Sequence, residues 1–339
     1  MGSNGPITHV PHDAWYAVAH CEDVGRAPVG RRVHNCGIVL YRKLDGSIVA
    51  LADRCAHRPY PLSRGVVDGD SITSTFSGFR YGPDGRVLAV PTQDAVPVGA
   101  AVRAYPAQEA AGLVWVWTGN PGLATHRPLP QMPWLSEPGW ATFGADWETA
   151  ASLGMLQDNF ADITHVAFLD PELSPPALLQ PPHLNVEVSE RQVRFWRDFP
   201  ASPLQTWQVE VLGLPADEGF EQREEGLMAA PGVWLDRWDV KTADGVRTMH
   251  FAHAITPLSE RKTHHFWAVS RNFALDAGTT GRLRQMLERY YRRVAEALEV
   301  MQDVIDREGP AREFSVRTDG AVLEARRVMR RLLEEESAR

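Results

Sequence analysis

The apolar residues fall into two stretches of different periodicity. Up to about residue 120 they come in short runs, at 37–41, 47–51, 87–90 and 113–117, separated by the turn pairs Asp45-Gly46, Asp68-Gly69 and Asp84-Gly85. Short apolar runs joined by such pairs predict β-hairpins and an all-β module. Asn120-Pro121-Gly122 and the proline cluster at 128–133 mark a boundary. Beyond it the pattern predicts an α+β region. A helix is expected at 150–169 and strands at 184–188, 192–198, 206–211, 233–240, 248–256 and 265–272. The proline-rich stretch 171–182 excludes regular structure and is placed to cover a pocket. Leu283, Leu287, Tyr290, Val294, Leu298, Met301 and Ile305 recur at steps of three and four, which predicts one long amphipathic helix over 280–307. Gly309-Pro310 stops it, and a charged helix follows at 320–336. No internal repeat is visible.

Composition narrows the partners. With 44% hydrophobic and 23% charged residues in 339, the chain reads as an ordinary globular protein of two domains, expected at 1–125 and 126–339. A net charge of −8 without a basic tract argues against nucleic acid. No apolar run reaches the roughly 18 residues that span a bilayer, and no secretory signal opens the chain. Three cysteines build no disulfide framework, so a reducing cytoplasm is the expected location.

Candidate chemistry begins at Cys55-Ala56-His57-Arg58. Alone, this is the pattern of a buried cysteine beside an exposed histidine. Its surroundings include Trp15-Tyr16-Ala17-Val18, Pro61-Leu62-Ser63-Arg64-Gly65, Gly78-Phe79-Arg80-Tyr81, His264-His265-Phe266-Trp267 and Ser270-Arg271-Asn272-Phe273. Together these resemble the Rieske non-haem iron oxygenases, in the branch of vanillate O-demethylase and dicamba monooxygenase. The resemblance implies an N-terminal all-β Rieske-like domain. It also implies a C-terminal helix-grip domain (of the START and Bet v 1 type), an antiparallel sheet wrapped over the long helix. A Rieske cluster takes two Cys thiolates and two His nitrogens. Where the second Cys-x-x-His loop belongs, the chain has Ser74-Thr75-Phe76-Ser77, and its other cysteines are Cys21 and Cys36. A neutral hydroxyl is a poor ligand for a soft iron–sulfur core.

The same resemblance implies a mononuclear iron held by two His and one carboxylate. The run Asp158-Asn159-Phe160-Ala161-Asp162-Ile163-Thr164-His165 matches the family pattern, but Asp170 stands where the second His is expected. On the long helix the carboxylate position holds Ala297, and Glu296, Glu299 and Asp303 point away from it. The sequence therefore leads us to expect no cofactor, with iron at His165 and Asp170 as the competing reading.

Asp158, Asp162 and His165 are spaced to share one helix face. Asp162 with His165, and Asp170 nearby, are candidates for proton transfer, with Asp158 and Asn159 beside them; the competing reading is that they cap buried polar groups. The family resemblance places His253 and Asp236 where relatives contact substrate. Trp267, with Trp196, Trp207, Trp234 and Trp238, offers aromatic wall. His264 and His265 are adjacent on a strand and point to opposite faces. These residues lead to a non-redox enzyme, a cyclase, isomerase, lyase or hydrolase, acting on a small hydrophobic or aromatic metabolite. The alternatives are a structural subunit beside an oxygenase paralogue, a ligand-binding module, and an oxidoreductase with unusual His/Asp iron ligation and an external electron donor. The resemblance implies a homotrimer.

Overall fold

A computed structural model describes residues 7–339. They form two compact units, one of 12–129 with 256–259, the other of 7–11, 130–255 and 260–339.

The unit of 12–129 is all β, as expected. Trp15–His20 pairs with Leu113–Trp117, and that strand with Ala107–Ala110. Val29–Val33, Cys36–Arg42, Ile48–Ala52 and Ala104–Tyr105 make a second sheet, and Val66–Asp68, Ser71–Thr73, Arg80–Tyr81 and Val87–Ala89 a third. The turn at Asp45-Gly46 closes because Gly46 takes φ +86° and the Asp45 carboxylate accepts from the Ser47 amide at 2.9 Å. Val39, Tyr41, Leu51, Leu62, Ile72 and Tyr81 share one core, and Cys55 is buried among them.

The other unit is a seven-stranded antiparallel sheet. Its order is Ala141–Thr149, Lys262–Arg271, Gly245–Ser259, Val233–Thr242, Gly219–Ala230, Val193–Pro203 and Asn185–Val188. Five helices accompany it: α1 Leu153–Ala161, α2 Val166–Leu169, α3 Thr206–Leu212, α4 Ala277–Glu308 and α5 Gly320–Ser337. The amphipathic α4 buries Leu283, Leu287, Tyr290, Val294 and Leu298, as its spacing predicts. The stripe then rotates: Met301 is half exposed and Gln302 is buried, its Oε1 accepting from the Ser152 amide at 3.0 Å. Among the described residues no helix is long and apolar enough to cross a membrane.

Three expectations need correction. Residues 206–211 form a helix rather than a strand. The Gln208 side chain accepts from the Gln205 amide at 3.1 Å at its start, and Gly213 at φ +65° ends it. The helix expected at 150–169 breaks after Ala161. The Asp162 carboxylate accepts from the Thr164 amide at 3.0 Å and its hydroxyl at 2.9 Å, a local turn that competes with the helical bonds. The strands Ala141–Thr149 and Gly219–Ala230 were not expected. The second carries charges that pair across the sheet, such as Arg223 with Asp198 and Lys241 with Glu221.

Alternation along Val193–Pro203 buries Val193, Phe195, Arg197 and Phe199 on one face. A guanidinium thus enters the interior, with Glu224 directly opposite it in register. Gly226, two residues on, is a close-approach position. A Cβ there would lie 2.3 Å from two Phe195 ring carbons and 2.8 Å from Asp236 Oδ1. Gly226→Ala is expected to cost about 1–3 kcal/mol through overpacking, read as a lower urea midpoint at unchanged m-value.

Candidate functional site

Between the sheet and α1, α3 and α4 lies a cavity of about 150 Å³. Its walls are mainly apolar: Phe160 and Ile163 from the α1 end, Leu173 and Leu178 from the proline-rich stretch, Trp238 and Phe251 from the sheet, Leu287 from α4. The proline-rich stretch does supply one wall, as its composition suggested. Cavities of this volume and lining admit a single benzene-sized ring. The polar groups converging on it include Asn159, Glu224, Asp236, His253 and Tyr291. The Trp207 indole N–H is buried at the same cavity with no hydrogen-bond partner.

Asp236 and His253, each expected at the pocket, are brought together, and a third residue joins them. Trp234 Nε1 donates to Asp236 Oδ1 at 2.7 Å, and Asp236 Oδ2 lies 3.3 Å from His253 Nε2. His253 Nδ1 is 3.0 Å from His265 Nε2. Phe160 stacks on the His253 ring at 4.3 Å. Burial pushes the Asp236 carboxyl well above its ordinary range, against the pull of the Trp234 hydrogen bond. Burial also lowers His253 to about 3 and His265 well below its usual value. The proton arrangement that fits is neutral throughout. The Asp236 acid donates to His253 Nε2, and His253 Nδ1–H donates to His265 Nε2. Trp267 does not line the cavity. It packs behind Tyr291 at 4.9 Å, a correction to its expected contact with ligand.

The shared face expected for Asp158, Asp162 and His165 does not form, because the chain turns at Asp162. Asp158 instead clamps α1 to α5. Arg326 donates to it through Nε at 3.0 Å and Nη2 at 2.6 Å, and Glu313 takes the same guanidinium at 2.7 Å. Burial raises Asp158 to about 6 against the pull of Arg326. Asp162 accepts from Thr164 and lies 3.7 Å from Arg197 Nη2. His165 Nδ1 donates to the Asp162 carbonyl at 2.9 Å, which leaves Nε2 as acceptor for the Tyr290 hydroxyl at 3.1 Å. Asp170 is buried and paired with Arg293 at 2.9 Å. Of the neighbours of Ala297, Glu299 is turned away and accepts from the Ala150 amide at 2.8 Å.

In the all-β unit, Cys55 Sγ lies 3.1 Å from the Tyr81 hydroxyl and 3.3 Å from Ser77 Oγ. Burial pushes the thiol up, but these hydrogen bonds and nearby amides outweigh it and bring it down to about 7. Ser74 is buried with its hydroxyl unpaired, and His57 stacks on Phe79 at 5.0 Å.

The sequence did not point to Glu224, His265 or Tyr291. The available signal was Arg197, a guanidinium among inward-facing Val193, Phe195 and Phe199, which demands a buried carboxylate beside it. Asp236→Asn is expected to gain stability relative to wild type as pH rises above the ordinary Asp value of 3.8. The folded carboxyl keeps its proton where the unfolded one has released it, so wild-type stability falls across that interval, whereas Asn has nothing to titrate. The difference should grow by about 1.4 kcal/mol per pH unit within the interval, read from urea midpoints at several pH values.

Comparison with known proteins places this geometry. Residues 14–106 match the Rieske [2Fe-2S] domain, and residues 149–335 match the vanillate O-demethylase oxygenase C-terminal domain. The oxygenase component of chloroacetanilide N-alkylformylase from Rhizorhabdus wittichii is 32% identical, over 78% of this chain and 77% of that protein. The oxygenase component of dicamba O-demethylase from Stenotrophomonas maltophilia is 25% identical over 96% and 98%. Dicamba monooxygenase bound to 3,6-dichlorosalicylic acid superposes with a TM-score of 0.88 at 23% identity, covering 99% of this chain and all of that one. These matches overturn the expectation that no cofactor belongs here, because the scaffold is one of iron–sulfur and non-haem iron proteins. The donor sets this chain supplies do not by themselves fit those groups. Ser74 and Ser77 replace the second loop, Ser77 holds Cys55, Tyr290 occupies the His165 lone pair, and Arg293 neutralises Asp170. Among the described residues no three His, Cys, Asp or Glu side chains are grouped to hold a metal ion. With both halves of the domain pair matched in order, the chain belongs to the Rieske oxygenase family, with a vanillate O-demethylase-type C-terminal domain.

Proposed function

We propose that this chain is an oxygenase-family component whose residues 126–339 bind a small, single-ring aromatic molecule in the cavity beside Asp236 and His253. The observation that carries this reading is the cavity itself. It is about 150 Å³ of mostly aromatic and aliphatic wall, with hydrogen-bonding groups converging from α1, the sheet and α4. The names of its relatives agree in chemistry: toluene-4-sulfonate, vanillate and dichlorosalicylic acid are each a substituted benzene ring. Phe160, Trp238 and Phe251 would hold the ring, and Asn159, Asp236 and Tyr291 would orient its polar substituent. Assembly as a homotrimer, or with an oxygenase paralogue, belongs to the same proposal.

A second reading, non-redox proton transfer on the same ligand, is favoured by the Asp236–His253–His265 chain, which ends at the cavity. In such a chain Asp236 can take a proton at Oδ1 as it hands its own to His253 Nε2, and His253 passes its Nδ1 proton to His265 Nε2. The two readings separate on one assay. Turnover of a bound ring that requires oxygen and an electron donor supports the oxygenase reading. Turnover that needs neither and is lost in Asp236→Asn supports the second.

Titration with single-ring aromatics is expected to give saturable binding, one ring per chain, followed by quenching of tryptophan fluorescence. Leu287→Trp, which fills the cavity from α4, should weaken it by at least about tenfold while the circular dichroism stays unchanged. Binding insensitive to this substitution would place the ligand elsewhere.

A further inference from the structure

The cavity has a charge preference that differs from the acids named for its relatives. Three carboxyls line it from the centre of the sheet, Asp236, Glu224 and Glu225. Each of the two cations nearby already has a carboxylate beside it. Arg197 lies behind Glu224, not on the lining, and gives Nη1 to both Glu224 oxygens at 2.8 and 3.1 Å. Its Nη2 faces Asp162 at 3.7 Å, and neither Nη2 nor Nε has a hydrogen-bond partner. Arg237, the guanidinium on the lining, is paired with Asp239 at 2.8 Å. Glu225 is likewise taken by Arg194 at 3.0 Å. The remaining polar groups are neutral and include the Asn159 amide, the Gln208 amide, the Tyr290 and Tyr291 hydroxyls, the Trp207 indole and a histidine whose two nitrogens are both engaged.

An anionic substituent entering here finds, among the described lining residues, no cation without a carboxylate partner, and it approaches two carboxyls. In an apolar enclosure an uncompensated charge is strongly disfavoured. A hydroxyl or amino group meets the opposite situation. Asp236 Oδ1 accepts one hydrogen bond from Trp234, so a lone pair remains for a ligand donor. Glu224 offers a second acceptor, and the Asn159 amide and Tyr291 hydroxyl can donate to the ligand oxygen or nitrogen.

We infer that the cavity selects a single-ring aromatic bearing a hydroxyl or amino group and rejects aryl carboxylates and sulfonates, with Asp236 as the main determinant. This rests on the cavity reading above and names its ligand class. Burial holds Asp236 well above its ordinary range and Glu224 up at about 7. Ionising Asp236 beside an anion would add a second uncompensated charge, whereas Glu224 has Arg197 beside it.

The test is calorimetric binding of four ring probes, phenol, aniline, benzoate and toluene-4-sulfonate, to wild type, Asp236→Asn and Glu224→Gln. Phenol and aniline are expected to bind wild type at least about tenfold tighter than the two anions. The gap should fall below about threefold in Asp236→Asn. Anions binding wild type as tightly as phenol would overturn the inference and leave the cavity reading standing. So would a gap unchanged in both variants. If none of the four binds wild type, the cavity reading fails and this inference with it. The wild-type comparison needs no variant, so misfolding of Asp236→Asn leaves it decisive.

Discussion

Arg197 sets the terms for the whole C-terminal unit. It is fully buried, and a guanidinium cannot release its proton to ease that burial. Two carboxylates must therefore accompany it, Glu224 from the neighbouring strand and Asp162 from the turn after α1. Removing Glu224, the partner hydrogen-bonded to it, is the kind of change that costs about 3–5 kcal/mol. The sheet and the α1 turn are thus tied by one cation. That turn also sets His165 against Tyr290, and the opposing strand places Glu224 at the cavity. The acidity of the cavity is in this sense a consequence of where alternation put one arginine.

Much of the fold was legible because the signals were local and repeated. The stripe from Leu283 to Leu298 and the stop at Gly309-Pro310 define α4, and Asp-Gly turns mark hairpins in the all-β unit. The misreadings are physical too. Val209 and Val211 made 206–211 resemble a strand, yet the Gln208 side chain caps the Gln205 amide and Gly213 closes a short helix. The strand Gly219–Ala230 hid behind its charges, whose partners lie across the sheet rather than along the chain. The helix through Asp162 was overextended because side-chain competition at one residue ended it.

The site was legible in pieces. Asp236, His253 and Asn159 were identified, and all line the cavity. Trp267 was placed one layer too near the ligand, and the Asp158–His165 face was an artefact of assuming an unbroken helix. Tyr291 went unseen and His265 was noted only as the strand neighbour of His264, because their relation to His253 runs between elements, at 3.0 and 5.5 Å, and no sequence spacing encodes it. The family's donor positions illustrate the complementary lesson. The match to a Rieske domain identifies the scaffold, whereas the atoms around Cys55, His165 and Asp170 show how this chain satisfies those positions with hydrogen bonds and an ion pair of its own.

The neutral Asp236 acid links cavity, strand register and ligand class, so its protonation is the quantity to measure. A ¹³C carboxyl titration assigned with Asp236→Asn reads it directly. The expected signal stays in the protonated position through neutral pH, with phenol shifting it and benzoate leaving it unmoved. A carboxyl already ionised in the ordinary aspartate range would contradict the buried, neutral chain from Asp236 to His265 and the ligand preference built on it.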